Sequence, residues 1–582
     1  MPANKTALHS MLSRYIPILA WGQHYQRSDL TADLLAGVVV AIMLVPQGVA
    51  YAMLAGLPPQ VGLYASILPL IVYGIFGSSR TLGVGPVAIV SILVASSVGE
   101  FAEMGTADYV QLALTLAFLV GVIQLGMGLF RIGFLVNFLS HPVLAGFING
   151  AALIIGFSQL KHLLGTDTPR MEFAETVVYA VTHVNEINFM TLAIGALGIG
   201  VLLYFKYMLG GQLERSGVPS PIAVPLTKSA PLLIVLLGTT AVFLFDLNES
   251  AGVAIVGAVP AGLPPLTMPT MALDTWSTLL PTAIIISFVG FVESISIAKS
   301  LARKRRRRVH ANQELVALGL ANFSAAITGG YSVTGSFSRS VVNYDAGAKT
   351  GMASIITAVI IAFTVVFLTP LFYYLPQALL AAIIMVAVFG LIDIKTFLYS
   401  WAYNKEDAFS MMITFLAVLL LGIEKGVLVG VGTALLLFIL HTSRPHIAVL
   451  GRVPNSKIYL NVTRYEVTTC DRVLAVRIDQ SLYFANVAYL ENTVYQLRAD
   501  CPRMQHFIMS CTAISSIDTS ALEALESLQL SLAEVGITFH LTTLRGPVQD
   551  RLKKIGFIKR FGVNHIHKTT YDAMVSIGCV QN

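Results

Sequence analysis

The chain has 582 residues, 55% of them hydrophobic and only 12% charged, about half the charged share of ordinary soluble domains (~25%). With a mean hydropathy of +0.75, this composition excludes a soluble globular protein and a disordered one. The formal charge of +6 does not mark a nucleic-acid partner, because Lys and Arg sit mostly in short loops between apolar runs, as in a multi-spanning membrane protein.

Residues 1–30 read as a polar, basic, cytoplasmic segment, and Met1–Asp29 lacks the apolar core of a cleavable signal peptide. Runs near the ~20 residues that cross a bilayer then recur from Asp33 to Leu440. The first half gives Asp33–Leu54, Val61–Phe76, Leu82–Val98, Val110–Leu129, Pro142–Leu160, Phe189–Tyr207 and Ala230–Phe245. Phe173–Val184 is shorter and amphipathic and reads as an interfacial helix. The second half gives Leu279–Lys299, Gln313–Ile327, Thr334–Asn343, Ser354–Tyr374, Ala378–Leu391, Ala408–Leu421 and Gly426–Leu440. With the amino terminus inside, the loops carrying Arg80, Arg131, Arg215, Arg303–Arg308, Lys349, Lys395 and Lys405 all fall in the cytoplasm. Fourteen spans return the carboxyl terminus there too. The predicted class is a polytopic α-helical protein of the plasma (inner) membrane, with a transmembrane domain over residues 31–444.

The two halves correspond. Span three and span ten start about 250 residues apart, as do span one and span eight, and an odd number of spans per repeat makes the repeats inverted. Both spans three and ten are broken. Thr81–Ile92 (TLGVGPVAIVSI) and Tyr331–Tyr344 (YSVTGSFSRSVVNY) each read as a short extended run, a Gly or Gly-Pro turn and a helix start. Non-helical backbone at membrane depth is tolerated only where it faces protein or a water-filled cavity, so the pair marks a substrate site.

A helix start carries about half a positive charge and free N–H donors. Gly85–Ala88 and Gly335–Arg339 would aim two such starts at one another, and the Arg339 guanidinium makes the site anionophilic, with Ser336 and Ser338 as further donors. An arginine at mid-membrane costs at least ~2.5–3.5 kcal/mol; the alternative to a substrate ligand is a helix clamp, with Arg339 paired to Glu293 or a carbonyl. Glu293 lies inside span eight. A carboxylate taken out of water binds a proton more readily, which suits proton coupling; with Ser287 or Ser294 it could instead ligate sodium, or be a hydrogen-bonded structural acid. In span one, Pro46 and Gly48 can bend the helix, Gln47 offers an amide, and Tyr51 lies one turn further on the same face. His141 and His441 stand at span ends and receive no role.

From Pro445 onwards the composition changes. Val473–Ile478, Phe507–Met509 and Thr538–Leu541 read as strands, and Val487–Leu497, Ser520–Val535 and Val548–Ile555 as helices, giving a cytoplasmic α/β domain over residues 445–582. It carries no glycine-rich phosphate loop, paired metal ligands or catalytic triad. All four cysteines (Cys470, Cys501, Cys511, Cys579) fall here in no CxxC or zinc pattern and read as reduced thiols.

The segments VPQGVAYAMLAGLPPQVGLYAS, LGVGPVAIVS, FVESISIAKSLA, NQELVALGLAN and GSFSRSVVNYDAGAKT together resemble the SulP family of anion transporters, and SLYFANVAYLENTV with SSIDTSALEAL resembles its STAS domain. The resemblance implies a fourteen-span core-and-gate fold, elevator-like alternating access and a homodimer. It places the anion between spans three and ten with help from span one, at Gln47, Tyr51, Pro86, Val87, Ala88, Phe337, Ser338 and Arg339. Glu293 matches the acidic position of coupled symporters. Where related STAS domains carry a phosphorylatable serine in a DSSG loop, this chain has Asp518-Thr519-Ser520-Ala521, and Ser520 reads as a helix N-cap instead. The expected activity is proton-coupled sulfate uptake, with no cofactor beyond a coupling proton or sodium ion. Alternatives are sodium-coupled bicarbonate or C4-dicarboxylate transport, an uncoupled anion exchanger, or a sensor whose tail docks a cytosolic partner. An enzyme is disfavoured because no nucleophile–base pair or metal cluster appears.

Overall fold

The computed structural model describes residues 16–134, 141–166, 175, 178–179 and 182–580. The predicted amino-terminal segment up to residue 15 and half of the predicted interfacial helix Phe173–Val184 lie outside the described residues. Two compact units emerge, Met1–Thr433 and Ala434–Asn582.

The first unit runs through α1 (Arg27–Leu54), α2 (Pro59–Tyr64), α3 (Leu68–Phe76), β1 (Gly83–Gly85), α4 (Ala88–Val98), α5 (Ala107–Leu129), α6 (His141–Ser158), α7 (Phe189–Tyr204) and α8 (Ala230–Phe245). The second half follows as α9 (Leu273–Lys304), α10 (Ala311–Ile327), β2 (Thr334–Ser336), α11 (Phe337–Asp345), α12 (Met352–Phe367), α13 (Gln377–Phe389), α14 (Lys405–Leu421) and α15 (Ile423–Ser443). Among the described residues, eight helical segments are long and apolar enough to cross a membrane, and three shorter apolar helices, α4, α8 and α12, accompany them. Large apolar side chains stand exposed on the outer faces, among them Phe189, Leu197 and Leu420, which lipid tails would cover.

The departures from the hydropathy reading have local causes. The predicted span Val61–Phe76 divides into α2 and α3, each with a proline in its first turn, where the missing N–H costs nothing. Span eight lengthens at both ends into α9, whose last turn carries Arg303 and Lys304, cations that favour a helix carboxyl end. Several helices of this unit outside the predicted spans are additional, the longest being Ser220–Lys228 and Ile394–Tyr403. The second is capped by Asp393, which accepts from the Thr396 N–H at 3.0 Å.

Small residues set the helix spacing. A Cβ on Gly319 of α10 would lie 2.5 Å from the Leu125 nitrogen and 2.9 Å from the Gly121 carbonyl of α5. A Cβ on Gly62 would lie 1.9 Å from the Gly48 carbonyl, so α1 and α2 touch backbone to backbone just beside Gln47. Two buried carboxylates tie loops to these helices. Glu314 accepts from the Tyr73 hydroxyl (2.6 Å), the Ser78 N–H (2.8 Å) and hydroxyl (2.7 Å), and the Ser79 N–H (2.9 Å). Asp33 accepts from the Lys349 N–H (2.6 Å) and the Thr350 hydroxyl (2.6 Å).

The second unit adds β3 (Ile447–Arg452), β4 (Tyr459–Asn461), β5 (Val473–Ile478), α16 (Val487–Asp500), β6 (His506–Ser510), α17 (Thr519–Glu534), β7 (Thr538–Thr542), α18 (Gly546–Lys554), β8 (Ile566–His567) and α19 (Thr570–Ser576). The sheet order is β4-β3-β5-β6-β7-β8, parallel from β5 to β8. All six elements expected from the sequence are present. β3, β4 and β8 are additional: β4 and β8 are only three and two residues long, and only three residues separate β3 from the end of α15. Phe507, Met509, Phe539 and Leu541 share a core with Leu490 and Val494 of α16 and Leu525 and Leu528 of α17.

Two expectations for this unit are corrected. Cys470 and Cys579 are not free thiols but a disulfide spanning 109 residues of sequence. Their meeting depends on the chain end packing back beside β5, which spacing could not reveal; Cys501 and Cys511 are free. The α17 N-cap is Asp518, which accepts from the Ala521 N–H at 2.8 Å, while Ser520 stands exposed in the first turn. The helix therefore starts earlier than expected, because the Asp518 carboxylate is the stronger acceptor for the free amides.

Three histidines form a ladder across β6, β7 and β8, with ring nitrogens of His506 and His540 at 3.2 Å and of His540 and His567 at 3.2 Å. Burial, and after it the neighbouring His567, His506 and His565, push the His540 imidazole down to about 3. The unfolded chain takes up this proton near pH 6.5, whereas the folded one does not until about pH 3, so stability falls as pH drops through that window. The protection factors of the β7 amides in the full chain, which remove the intrinsic slowing of exchange in acid, should therefore fall on going from about pH 7 to about pH 5, and His540→Gln should blunt the change. Equal acid sensitivity in the variant would rule His540 out as the cause.

Candidate functional site

The two interrupted segments meet. β1 and β2 pair antiparallel, with Gly83 opposite Ser336, Val84 opposite Gly335 and Gly85 opposite Thr334. The backbone polar groups that helix would have satisfied are thus paired with each other, as a water-poor environment demands. α4 starts three residues after β1, and α11 directly after β2. The N-cap residues are Val87 and Ser336, neither of which supplies a side-chain cap, so the first-turn amides of both helices are left for another acceptor.

Neighbouring helices hold this strand pair in place. Asn322 of α10 grips Val333 by both backbone groups, accepting from its N–H at 2.8 Å and donating to its carbonyl at 2.9 Å. Ser294 of α9 accepts from the Gly335 N–H at 2.8 Å and bonds the Thr334 hydroxyl at 2.8 Å. Ser340 accepts from the Gly83 N–H at 2.9 Å, and Asn343 donates to the Thr81 carbonyl at 3.2 Å. Of the four, Ser294 alone was named from sequence, and as a cation ligand rather than for this role. The available signal was a buried amide or hydroxyl inside an apolar helix.

Arg339, the largest fully buried side chain among the described residues, occupies the third position of α11. Its Nη1 donates to Gln47 Oε1 at 3.4 Å, while Nε and Nη2 are buried without a partner. Gly85 has φ of +143°, and a Cβ there would stand 3.4 Å from Arg339 Nη2, so this glycine lets the guanidinium lie against β1. Tyr51 and Tyr331 lie within electrostatic reach of the same group. Gln47, Tyr51, Val87 and Ala88 are all buried, as is Pro86. Phe337 and Ser338, by contrast, are exposed.

No ion pair joins Arg339 to Glu293; the ion pairs among the described residues all lie in the second unit. Glu293 instead faces a separate cavity of about 440 Å³, walled by Ile89, Phe337, His141, Asn149 and Asp393 among others, and its Oε2 is buried without a partner. His141, given no role from sequence, therefore shares a cavity with Glu293. The serines considered as partners for a cation at Glu293 are engaged elsewhere: Ser294 holds β2, and Ser287 donates to the Val120 carbonyl at 3.5 Å. The cavity lies between α4, α9 and α11 on one side and α6 with residues 390–393 on the other. Chemically, the arrangement offers a guanidinium with unspent donors and two helix starts, with Glu293 within electrostatic reach but not bonded to it.

Residues 30–414 match the model of the sulfate permease family, and residues 464–573 match that of the STAS domain. Sulfate transporter 4.1, chloroplastic, of Arabidopsis thaliana is 38% identical over 566 residues, covering 94% of this chain and 81% of its own length. Sulfate transporter 1.1 of the same plant is 33% identical over 591 residues, covering 98% and 89%. Among solved structures, the murine solute carrier 26 family member A9 anion transporter in its inward-facing state superimposes with a TM-score of 0.90 at 25% identity, covering 98% of this chain and 95% of that one. The transmembrane domain of the cyanobacterial bicarbonate transporter BicA gives a TM-score of 0.58 at 23% identity over 70% of this chain, a likeness of fold.

Proposed function

The chain belongs to the sulfate permease family, and from that premise we propose that it takes up sulfate, coupled to protons through Glu293. The anion site is formed by Gln47, Tyr51, Pro86, Val87, Ala88, Phe337, Ser338 and Arg339. The observation that carries this reading is the buried Arg339 guanidinium, two of whose three nitrogens have no protein partner where two uncapped helices begin. A buried cation with unspent donors is costly unless an acceptor completes it. Sulfate is favoured over other anions by the sulfate transporters to which the chain is 33–38% identical, and a tetrahedral dianion can accept from a guanidinium and from several amides at once. An ion pair with Glu293, which would have made Arg339 a helix clamp, is absent from the fold.

The same reading assigns fourteen crossings in two inverted sets of seven, a transmembrane domain over residues 31–444 and a cytoplasmic domain over residues 445–582. It assigns a homodimer in the plasma membrane with both termini in the cytoplasm. The cavity between α4, α9 and α11 and the facing α6 supports elevator-like access, since sliding one group past the other would carry the strand-pair site across. Sodium coupling is less well supported, because Ser287 and Ser294 are already bonded to α5 and β2.

Counterflow uptake of labelled sulfate, bicarbonate, succinate and chloride into proteoliposomes, with and without a pH gradient, tests the assignment. Sulfate should exchange fastest and accumulate only when the gradient is present. Transport of bicarbonate or succinate without sulfate would replace the cargo while leaving the site in place.

A further inference from the structure

The run Arg303–Arg308 has no role in the anion site, and its density exceeds what orientation in the membrane requires. α9 ends at Lys304. Arg306 then adopts a left-handed conformation, with φ of +53°, and the Arg307 N–H returns to the Ala302 carbonyl at 2.8 Å. This reversal folds the end of the run back toward Ser78–Arg80. One cavity of about 370 Å³ is walled there by Arg80, Arg305, Arg307, Arg308, His310 and Trp21, among others. A second, also about 370 Å³, adjoins it through Arg307, Arg308 and His310 and adds Lys299 and Arg303.

The cations in these walls are unequal. Arg305 is committed to the fold, donating to the Ala348 and Tyr344 carbonyls and lying 4.5 Å over the Tyr344 ring. Arg307 and Arg308 make no side-chain hydrogen bond or ion pair among the described residues. Burial, and after it the charge of Arg307, lower the Arg80 guanidinium from its usual range, with Asp29 and Asp33 acting the other way. Among the described residues, neither cavity has an acidic side chain in its wall. The nearby Glu314 is turned away, its oxygens taken by Tyr73, Ser78 and Ser79, and Asp33 is spent on Lys349 and Thr350.

We propose that these adjoining cavities hold the phosphorylated headgroup of an acidic lipid, gripped by Arg80, Arg307 and Arg308. The shared chemistry is a phosphate bearing several acceptor oxygens, which guanidinium forks bind in pairs. A lipid is the source favoured by position. The pocket opens where the apolar helix α9 ends in its basic last turn, beside the short helix Ile18–Gly22 that contributes Trp21, the level at which lipid headgroups lie. Two adjoining pockets with a common arginine wall suit a headgroup carrying more than one phosphate. The inference depends on the membrane-spanning reading but not on the cargo.

The test uses full-length protein in phosphatidylcholine nanodiscs doped with either a diphosphorylated phosphatidylinositol or phosphatidylserine at matched total charge, with retained lipid read by native mass spectrometry. The diphosphorylated lipid should be retained in preference. Arg307→Gln combined with Arg308→Gln should weaken retention about thirtyfold, at roughly fivefold per cation removed. Arg307→Lys combined with Arg308→Lys keeps the charge that guides insertion, so it tests the site even if the glutamine variant misfolds. It should still bind several-fold more weakly, because an ammonium lacks the planar fork. Equal retention of phosphatidylserine, or a lysine variant that binds like the native chain, would reduce the cluster to bulk surface charge and overturn the proposal. Binding of soluble inositol hexakisphosphate without lipid retention would overturn the lipid assignment.

Discussion

Arg339→Gln should lower sulfate counterflow by at least about a hundredfold while leaving the protein as stable as before or more so. Each hydrogen bond from a charged group contributes about 1.5–3 kcal/mol, and every 1.4 kcal/mol is about tenfold. The two partnerless nitrogens of Arg339, if both reach the anion, account for two such bonds. Stability should move the other way. Breaking a buried pair is costly because it strands the partner, but Arg339 is hydrogen-bonded to no carboxylate, and its one bond among the described residues is to Gln47 at 3.4 Å. A neutral amide there relieves the desolvation of the cation. Thermal melts in detergent should thus show an equal or higher midpoint without sulfate, and the rise that sulfate gives the native protein should vanish. Arg339→Lys should fare little better in transport, since one ammonium cannot present two parallel donors. A variant that melts lower and still transports would make Arg339 a structural residue.

Much of this site was legible in the sequence because it breaks the rules of its surroundings. Glycines and a proline in an apolar run at Thr81–Ile92, and an arginine in another at Tyr331–Tyr344, conflict with continuous transmembrane helices, and the conflict sits where β1 pairs with β2. The regularity of the tail made it readable for the opposite reason. Strands such as Val473–Ile478 are short, apolar and separated by amphipathic helices, so each level of pattern agrees with the next.

What escaped depends on contacts distant in sequence. Asn322 looks like an unremarkable polar residue until Val333 is placed against it by the turn after α10. Ser294 was noticed, but for the wrong partner: its hydroxyl lies 2.8 Å from that of Thr334 rather than serving a cation at Glu293. The pairing of Cys470 with Cys579 is likewise set by how the chain end packs and by nothing in the spacing. The division of α2 from α3 was missed because a hydropathy window averages over the prolines that produce it.

Glu293→Gln should separate exchange from accumulation. A gradient of one pH unit stores about 1.4 kcal/mol per proton, enough for roughly a tenfold concentration ratio of an anion carried with one net proton. The native chain should build such a ratio in proteoliposomes. Glu293 is placed to mediate it, with an unpartnered oxygen in a cavity between the two helix groups, where a proton can be gained and released without dismantling a salt bridge. Its glutamine variant is isosteric but fixed in the neutral state. Isotope exchange at equal sulfate concentrations should persist, because Arg339 and the strand pair are untouched, while the accumulated ratio should fall to about one. Asp393, on the far wall, is unsuited to the same task, since its carboxylate is held by the Thr396 N–H at 3.0 Å and hydroxyl at 2.5 Å. His141 shares the cavity, and His141→Asn provides the control: if it abolishes accumulation and Glu293→Gln does not, the coupling proton belongs to the histidine. Accumulation driven by a sodium gradient in the native chain, and unaffected by pH, would instead remove the proton from the mechanism.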